Sequence, residues 1–203
     1  MPEIGKSLVF YLTYFSEMQK LYEEKGSLPG FDKTEDADAH FKKIEIVGKQ
    51  AGVEAVELLL SCISDLRRRL EESGVAVIKP CRRETMERKW QVIYDLLPAR
   101  GKKPDGQTHQ IGLYLDPDGV IPWIWSRGGR AAEDRIQKLL PGVQCLGSKQ
   151  MGWSSGSIAL KSTPIAWKSA VDFSIEAEPI VAETTNVLKA ISPKFVERFI
   201  SRD

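Results

Sequence analysis

The sequence predicts an α+β fold: a mostly antiparallel sheet of about five or six strands with one inserted helix, flanked by N-terminal helices and a C-terminal helix. Three observations predict it. Apolar residues recur at three- and four-residue spacing through positions 7–72, the period of an amphipathic helix. Between positions 75 and 178 the pattern changes to short runs of β-favouring residues separated by turn residues. Those runs follow one another without regular strand–helix alternation, which argues against a doubly wound parallel sheet. The 203 residues are read as one domain, with a helical part at 1–74, a strand-rich core at 75–178 and C-terminal helices at 179–203.

The first helix is expected from Ser7 to Lys25, with Leu8, Tyr11 or Leu12, Phe15, Met18 and Tyr22 on one face, and Gly26 and Leu28-Pro29-Gly30 ending it. A second helix begins at Thr34 as N-cap, with Glu35, Asp36 and Asp38 in its first turn. Gly48 and Gly52 are expected to interrupt it. From Val53 to Glu72 the stripe Val53, Val56, Leu60, Ile63, Leu66 and Leu70 predicts a further helix, closed by Gly74. Val75–Ile78 and Trp90–Leu97 read as strands, and Ala99–Gln107 as a polar loop. Gln110–Leu115 and Val120–Trp125 form the clearest hairpin, because Asp116-Pro117-Asp118-Gly119 supplies a preset proline φ and a permissive glycine. A helix follows from Arg130 to Leu140 with Ile136, Leu139 and Leu140 inward, stopped by Pro141-Gly142. Short strands are expected at Val143–Leu146, Ser157–Leu160 and Ala170–Ile175. The last helix runs from Pro179 to Ala190, and Ser192-Pro193 then starts another.

Composition narrows the function classes. Twenty-nine Lys and Arg against 28 Asp and Glu give a net charge of +1, so no strong overall field draws the chain to nucleic acid or to a membrane surface. Cys62, Cys81 and Cys145 form no Cys-x-x-Cys pair, which fits a reducing compartment and gives metal ligation no local support. The apolar segment Ser7–Phe15 is broken by Ser16, Glu17, Gln19 and Lys20 with no small-residue cleavage site after it. The cytoplasm is the expected location, with no membrane partner and no cofactor.

Four segments carry candidate chemistry. Gly152-Trp153-Ser154-Ser155-Gly156 fits the serine nucleophile elbow, but that motif needs a following helix and a downstream histidine. Here a strand follows, and His40 and His109 both lie upstream, so a Gly/Ser turn is expected. Asp116 and Asp118 offer two carboxylates, yet Val120-Ile121-Pro122-Trp123 adds no oxygen ligand, and the hairpin turn explains both acids. Glu87-Arg88-Lys89 resembles the Glu-x-Lys half of a metal-dependent nuclease site, with Asp95 and Asp116 as partner acids only by proximity in sequence. A three-residue match arises readily by chance in so charged a chain, and a solvated strand start is expected.

Ser126-Arg127-Gly128-Gly129-Arg130 is the strongest of the four. It joins a tryptophan-bearing strand to a helix whose first amides attract anions, and Arg127 and Arg130 add charge-assisted donors. Trp123 and Trp125, two apart on a strand, share a face with Ile121 and extend this site as a stacking platform, or else belong to the core. Arg130 at a helix start needs an anion or an acid, such as Glu133 or Asp134, to offset it. Further basic residues cluster at Arg67–Arg69, Arg82-Arg83, Arg88-Lys89 and Arg100–Lys103. Arg67–Arg69 has a structural cause in the helix carboxyl end nearby.

The leading expectation is a non-catalytic intracellular interaction module, regulatory or accessory, that binds a protein partner or itself through its helices, with seams such as Leu8–Tyr22 and Leu59–Leu70, or through its sheet face. A nucleic-acid or phosphate-ligand binder using Arg127, Gly128, Gly129 and Arg130 beside Trp123 or Trp125 comes second. A small metal-dependent nuclease or hydrolase comes third.

Overall fold

Period-2 alternation assigns every strand residue to one of two sheet faces, and the observed register makes that assignment explicit. In a computed structural model of the chain, residues 5–25, 35–74, 77–80, 91–97, 109–115, 118–149, 153–166 and 169–193 are described. Strands β1 (Val77–Pro80), β2 (Gln91–Leu97), β3 (His109–Leu115), β4 (Val120–Ser126) and β5 (Ser157–Ala159) form one sheet in the order β1-β2-β3-β4-β5. Every neighbouring pair is antiparallel. The class is α+β. Helices α1 (Lys6–Lys25) and α2 (Glu35–Glu72) precede the sheet. Helix α3 (Arg130–Leu139) and the one-turn α4 (Leu146–Lys149) lie between β4 and β5, so two helical segments stand where one was expected. A 3-10 turn (Ser169–Asp172) leads into α5 (Ser174–Ile191).

The inner face of the sheet carries Val92, Tyr94, Leu96, Ile111, Leu113, Leu115, Val120, Ile124 and Ile158, all buried. They join one apolar core with Leu59, Ile63, Leu66 and Leu70 of α2 and Ile180, Val187, Leu188 and Ile191 of α5. Helix α2 packs on β1, β2 and β3, while α1 packs on α2 and α3 packs on α5. Burying each of these large side chains contributes roughly 1.5–3 kcal/mol, which explains why the stripe in α2 was legible from periodicity.

Helix α2 is continuous for 38 residues, so neither Gly48 nor Gly52 interrupts it. The reason is the antiparallel approach of α1. A Cβ on Gly48 would stand 3.1 Å from the Tyr11 ring, so the missing side chain makes room for the neighbouring helix. Glu54 of α2 also accepts a hydrogen bond from the Leu8 amide at 2.8 Å, satisfying a donor in the first turn of α1 that has no intrahelical acceptor. Leu8 and Leu12 are buried against α2, as their spacing predicts. The side chains of Phe15, Met18 and Tyr22, the turn at Leu28-Pro29-Gly30 and the Thr34 cap lie outside the described residues.

Three further expectations are corrected. Val143–Leu146 is no strand: only Cys145 bridges to Ile158, and the chain then turns into α4. Ala170–Ile175 is helical, because Ala170, Phe173, Ala177 and Ile180 are buried at three- and four-residue spacing. Helix α5 therefore starts at Ser174, five residues before Pro179. The proline sits inside the helix on its exposed side, and the buried residues around it hold the turn that its ring disfavours. Ser192 closes α5 as its C-cap, its amide donating to the Leu188 carbonyl at 2.8 Å, and Pro193 is again helical, as expected for a helix that starts there; the residues after it lie outside the described ones. In α3, Ile136 is buried and Leu140 half-buried, but Leu139 is 54% exposed because it lies at the edge of the stripe formed by Ala132, Glu133 and Ile136.

Arg67 and Arg68 pair with Glu71 and Glu72 at 2.8 and 2.9 Å, one helical turn apart. These solvated pairs, with the helix carboxyl end, account for Arg67 and Arg68 without a ligand, while the buried Nε of Arg69 has no hydrogen-bond partner among the described residues. Among the described residues no helix is long and apolar enough to cross a membrane.

His109 begins β3 on the inner face, opposite Leu96 and Ser126, and is fully buried. Burial lowers its imidazole from 6.5 to about 4. The folded state thus binds this proton more weakly than the unfolded state, and its contribution to stability is present above pH 6.5 and lost as pH falls toward 4. The loss amounts to about 3 kcal/mol at 1.36 kcal/mol per pH unit. Urea denaturation between pH 7 and 4 is expected to show this decline, and a His109→Leu variant is expected to show a flatter profile over the same window.

Candidate functional site

The outer face of the sheet takes the alternate residues. Its register places Asp95, Gln110, Trp125 and Ser157 in one cross-strand row. A second row holds Ile93, Gly112, Trp123 and Ala159, and a third Gln91, Tyr114 and Ile121. The long helices pack on the other side. Here a small second cluster forms instead: Ile121, Trp123, Leu146 and Ala159 are buried, with Ile93, Tyr114, Trp125 and Trp153 half-buried around them.

Trp153 anchors that cluster. Its ring meets Tyr114 edge-on at 5.6 Å and Trp123 edge-on at 5.4 Å. Such aromatic pairs add about 0.5–1.5 kcal/mol beyond area burial. Trp123 lies flat across β3, where a Cβ at position 112 would stand 2.6 Å from the indole, so Gly112 is what admits the ring. The indole N–H of Trp123 is buried and has no hydrogen-bond partner among the described residues. Trp125 remains half-buried, its indole N–H donating to the Ser155 carbonyl at 3.2 Å. The two tryptophans share a face as predicted: Trp123 is buried within this cluster, and Trp125 is half-buried at its edge. Gln110 donates to the Asp95 carboxylate at 2.9 Å, so Asp95 has a partner on its own face.

The arginine corner stands at one end of this face. Two turns meet there. The first, 127–129, links β4 to α3; the second, 153–156, leads into β5. The Ser126 amide donates to the Gly156 carbonyl at 3.0 Å, and a Cβ on Gly156 would stand 2.3 Å from the Ser126 carbonyl oxygen. With φ at 92°, Gly156 also occupies backbone space that favours glycine. Glu133, only 2% exposed, completes the clasp: its carboxylate accepts the Gly156 amide at 2.6 Å. A charge-assisted bond of that length is among the stronger kinds.

Arg127, Gly128 and Arg130 are exposed and Gly129 is half-buried. Neither Arg127 nor Arg130 makes an ion pair among the described residues. The two glycine amides, however, are used within the turn, Gly129 donating to the Ser126 carbonyl at 3.0 Å and Gly128 to its hydroxyl at 3.3 Å. Of the two acids expected to offset Arg130, Glu133 faces Gly156, and the exposed Asp134 makes no ion pair with Arg130 among the described residues. The Ala132 and Glu133 amides of α3 both donate to the Gly129 carbonyl, at 3.1 and 3.2 Å, so what the corner offers an anion is two guanidinium groups, the Arg130 and Ala131 amides and the exposed hydroxyls of Ser154 and Ser155. Leu97 and His109, which bracket the segment carrying Arg100, Lys102 and Lys103, end at this same edge of the sheet as Ser126.

The remaining candidates separate. Glu87-Arg88-Lys89, Arg82-Arg83, Arg100–Lys103, Gly152, Asp116 and Cys81 lie outside the described residues. The segment after Gly156 is strand β5, so the serine motif lacks the helix that a nucleophile elbow needs. Cys62 and Cys145 are buried free thiols, and burial pushes Cys62 up to about 12, far from a reactive thiolate. Among the described residues no three His, Cys, Asp or Glu side chains gather as metal ligands. Sequence reasoning missed Tyr114, Trp153 and the inward role of Glu133. Tyr114 follows from the hairpin register once it is drawn, whereas no periodicity marks Trp153 or Glu133.

No protein-family model matches the chain, and no curated protein or solved structure matches it.

Removing the clasp tests how the corner is held. Glu133→Ala leaves the Gly156 amide buried without an acceptor, which costs about 1–3 kcal/mol. A lower thermal midpoint is expected, together with faster amide exchange at Gly156 while the β2 and β3 amides stay protected.

Proposed function

We propose that the chain is a non-catalytic binding module that takes up single-stranded nucleic acid on the outer face of its sheet. The observation that supports this most directly is that half-buried Trp125, Trp153 and Tyr114 share the outer sheet face with a corner carrying two arginines that make no ion pair among the described residues. Bases stack on aromatic rings at about 1–3 kcal/mol each without reading sequence, and a neighbouring guanidinium takes the phosphate. Trp125 and Arg127 are two residues apart, the first at the end of β4 and the second in the turn beyond it. A base on the indole thus places its backbone toward Arg127, Arg130 and the start of α3. The half-buried Gln110 and Gln91 on the same face offer polar contacts to base edges. A net charge of +1 leaves this interaction local, so affinity rests on the corner and on stacking rather than on long-range attraction.

Calorimetric titration with a single-stranded oligonucleotide of about 12 residues tests the reading, a length that spans a common single-stranded site size. Trp125→Ala is expected to weaken binding by about 1–3 kcal/mol. The Arg127→Ala/Arg130→Ala variant is expected to reduce the slope of log K against log salt by about 1.4, because each phosphate neutralised on a single strand contributes about 0.7. Absence of binding, or binding that both variants leave unchanged, would remove this face and its corner as the site.

A further inference from the structure

The solvent side of α1 carries a second surface, and it does not rest on the sheet-face reading. The helix buries Leu8 and Leu12 against α2. Its opposite side presents Lys6, Phe10, Thr13 and Glu17, spaced four, three and four residues apart, flanked by Val9 and Tyr14. Phe10 is 59% exposed and Val9 is 37% exposed. The rings of Phe10 and Tyr14 lie nearly parallel, 9° apart with centroids at 6.3 Å, so they form one ordered apolar ledge rather than two separate side chains. Spacing of four and three is the period of a helix-on-helix seam, and Lys6, Val9, Phe10, Thr13 and Glu17 along this one are exposed.

The arrangement of charge around the ledge says what would cover it. A basic residue stands at the amino-terminal end of the stripe and an acidic residue at its carboxyl-terminal end, equally distant from a centre midway between Tyr11 and Leu12. Rotating the helix by a two-fold axis through that centre sets Lys6 on the second copy's Glu17 and brings Phe10 beside the second copy's Thr13, while Val9 and Tyr14 line opposite flanks of the contact. Each contact occurs twice, as an isologous interface requires. A parallel pairing would stack Lys6 on Lys6 and Glu17 on Glu17, which is repulsive. We propose that α1 is a self-association surface that pairs antiparallel with α1 of a second copy of this chain.

The patch is one helix face about 17 Å long at 1.5 Å per residue. A contact that small belongs with weak, concentration-dependent interfaces, so a dissociation constant in the range of about 10–1,000 µM is expected. Because α2 lies between α1 and the sheet, pairing through α1 leaves the outer sheet face of both copies uncovered.

Sedimentation equilibrium of the full chain over a concentration series up to about 1 mM tests this, that ceiling being the weak end of the range just given. A reversible monomer–dimer equilibrium is expected. Lys6→Glu and Glu17→Lys each turn two attractive contacts into two repulsive ones, and each is expected to raise the dissociation constant by about tenfold or more. Mixing the two single variants restores both opposite-charge contacts in the heterodimer, so the mixture is expected to regain association that neither variant shows alone. All these positions are exposed, and circular dichroism is expected to stay unchanged. A strict monomer at the highest concentration would overturn the proposal. So would a dimer indifferent to both charge reversals and to Phe10→Ser.

Discussion

One-sided burial governs this structure. The Leu59, Ile63, Leu66 and Leu70 stripe of α2 lies against the inner sheet face, and α5 packs on α2 and α3 within the same core. Strand residues alternate, so covering one face with long helices commits every intervening residue to the other. Nothing further is needed to put Ile93, Tyr114, Trp123 and Trp125 together. Their proximity follows from the β2–β3–β4 register alone. The aromatic surface is therefore a consequence of the helix stripe as much as of the aromatic residues themselves, and a shift of one residue in β4 would exchange Trp123 and Trp125 for Ile124 and Ser126.

At the end of that face, two turns remote in sequence are joined by a few short bonds. The Ser126 amide reaches Gly156, the Trp125 indole reaches Ser155, and Glu133 accepts the Gly156 amide from inside the protein. This arrangement separates two roles that the sequence places side by side. The acid in the first turn of α3 holds the fold, while the bases on either side of the glycine pair stay in solvent. Arg130 at a helix start is unfavourable by itself. Its position there, with no carboxylate paired to it among the described residues, is consistent with a surface kept for an external anion.

The parts of the fold that sequence reasoning recovered are those fixed by local chemistry. The β3–β4 hairpin, the face shared by Ile121, Trp123 and Trp125, and the α2 stripe each follow from turn residues or from period. The errors arise where tertiary contact overrides local preference. Gly48 reads as a break until the Tyr11 ring explains it. Pro179 reads as a helix start, although Ala170, Phe173 and Ala177 already carried the helical spacing that places the beginning earlier. At the candidate site the arginines and the two β4 tryptophans were legible. The engagement of the Gly128 and Gly129 amides within their own turn was not, nor was the inward orientation of Glu133, which depends on a second turn more than twenty residues further along the chain.

Three of the five tryptophans gather on the outer sheet face. Two of them, Trp123 and Trp153, stand edge-to-face at 5.4 Å, close enough for their excited states to couple. The intrinsic emission and near-ultraviolet dichroism of this protein are thus weighted toward one small region rather than averaged over the molecule. Any occupant of that region, and any loosening of β4 or of the turn that carries Trp153, writes itself into the native optical spectrum without an added dye.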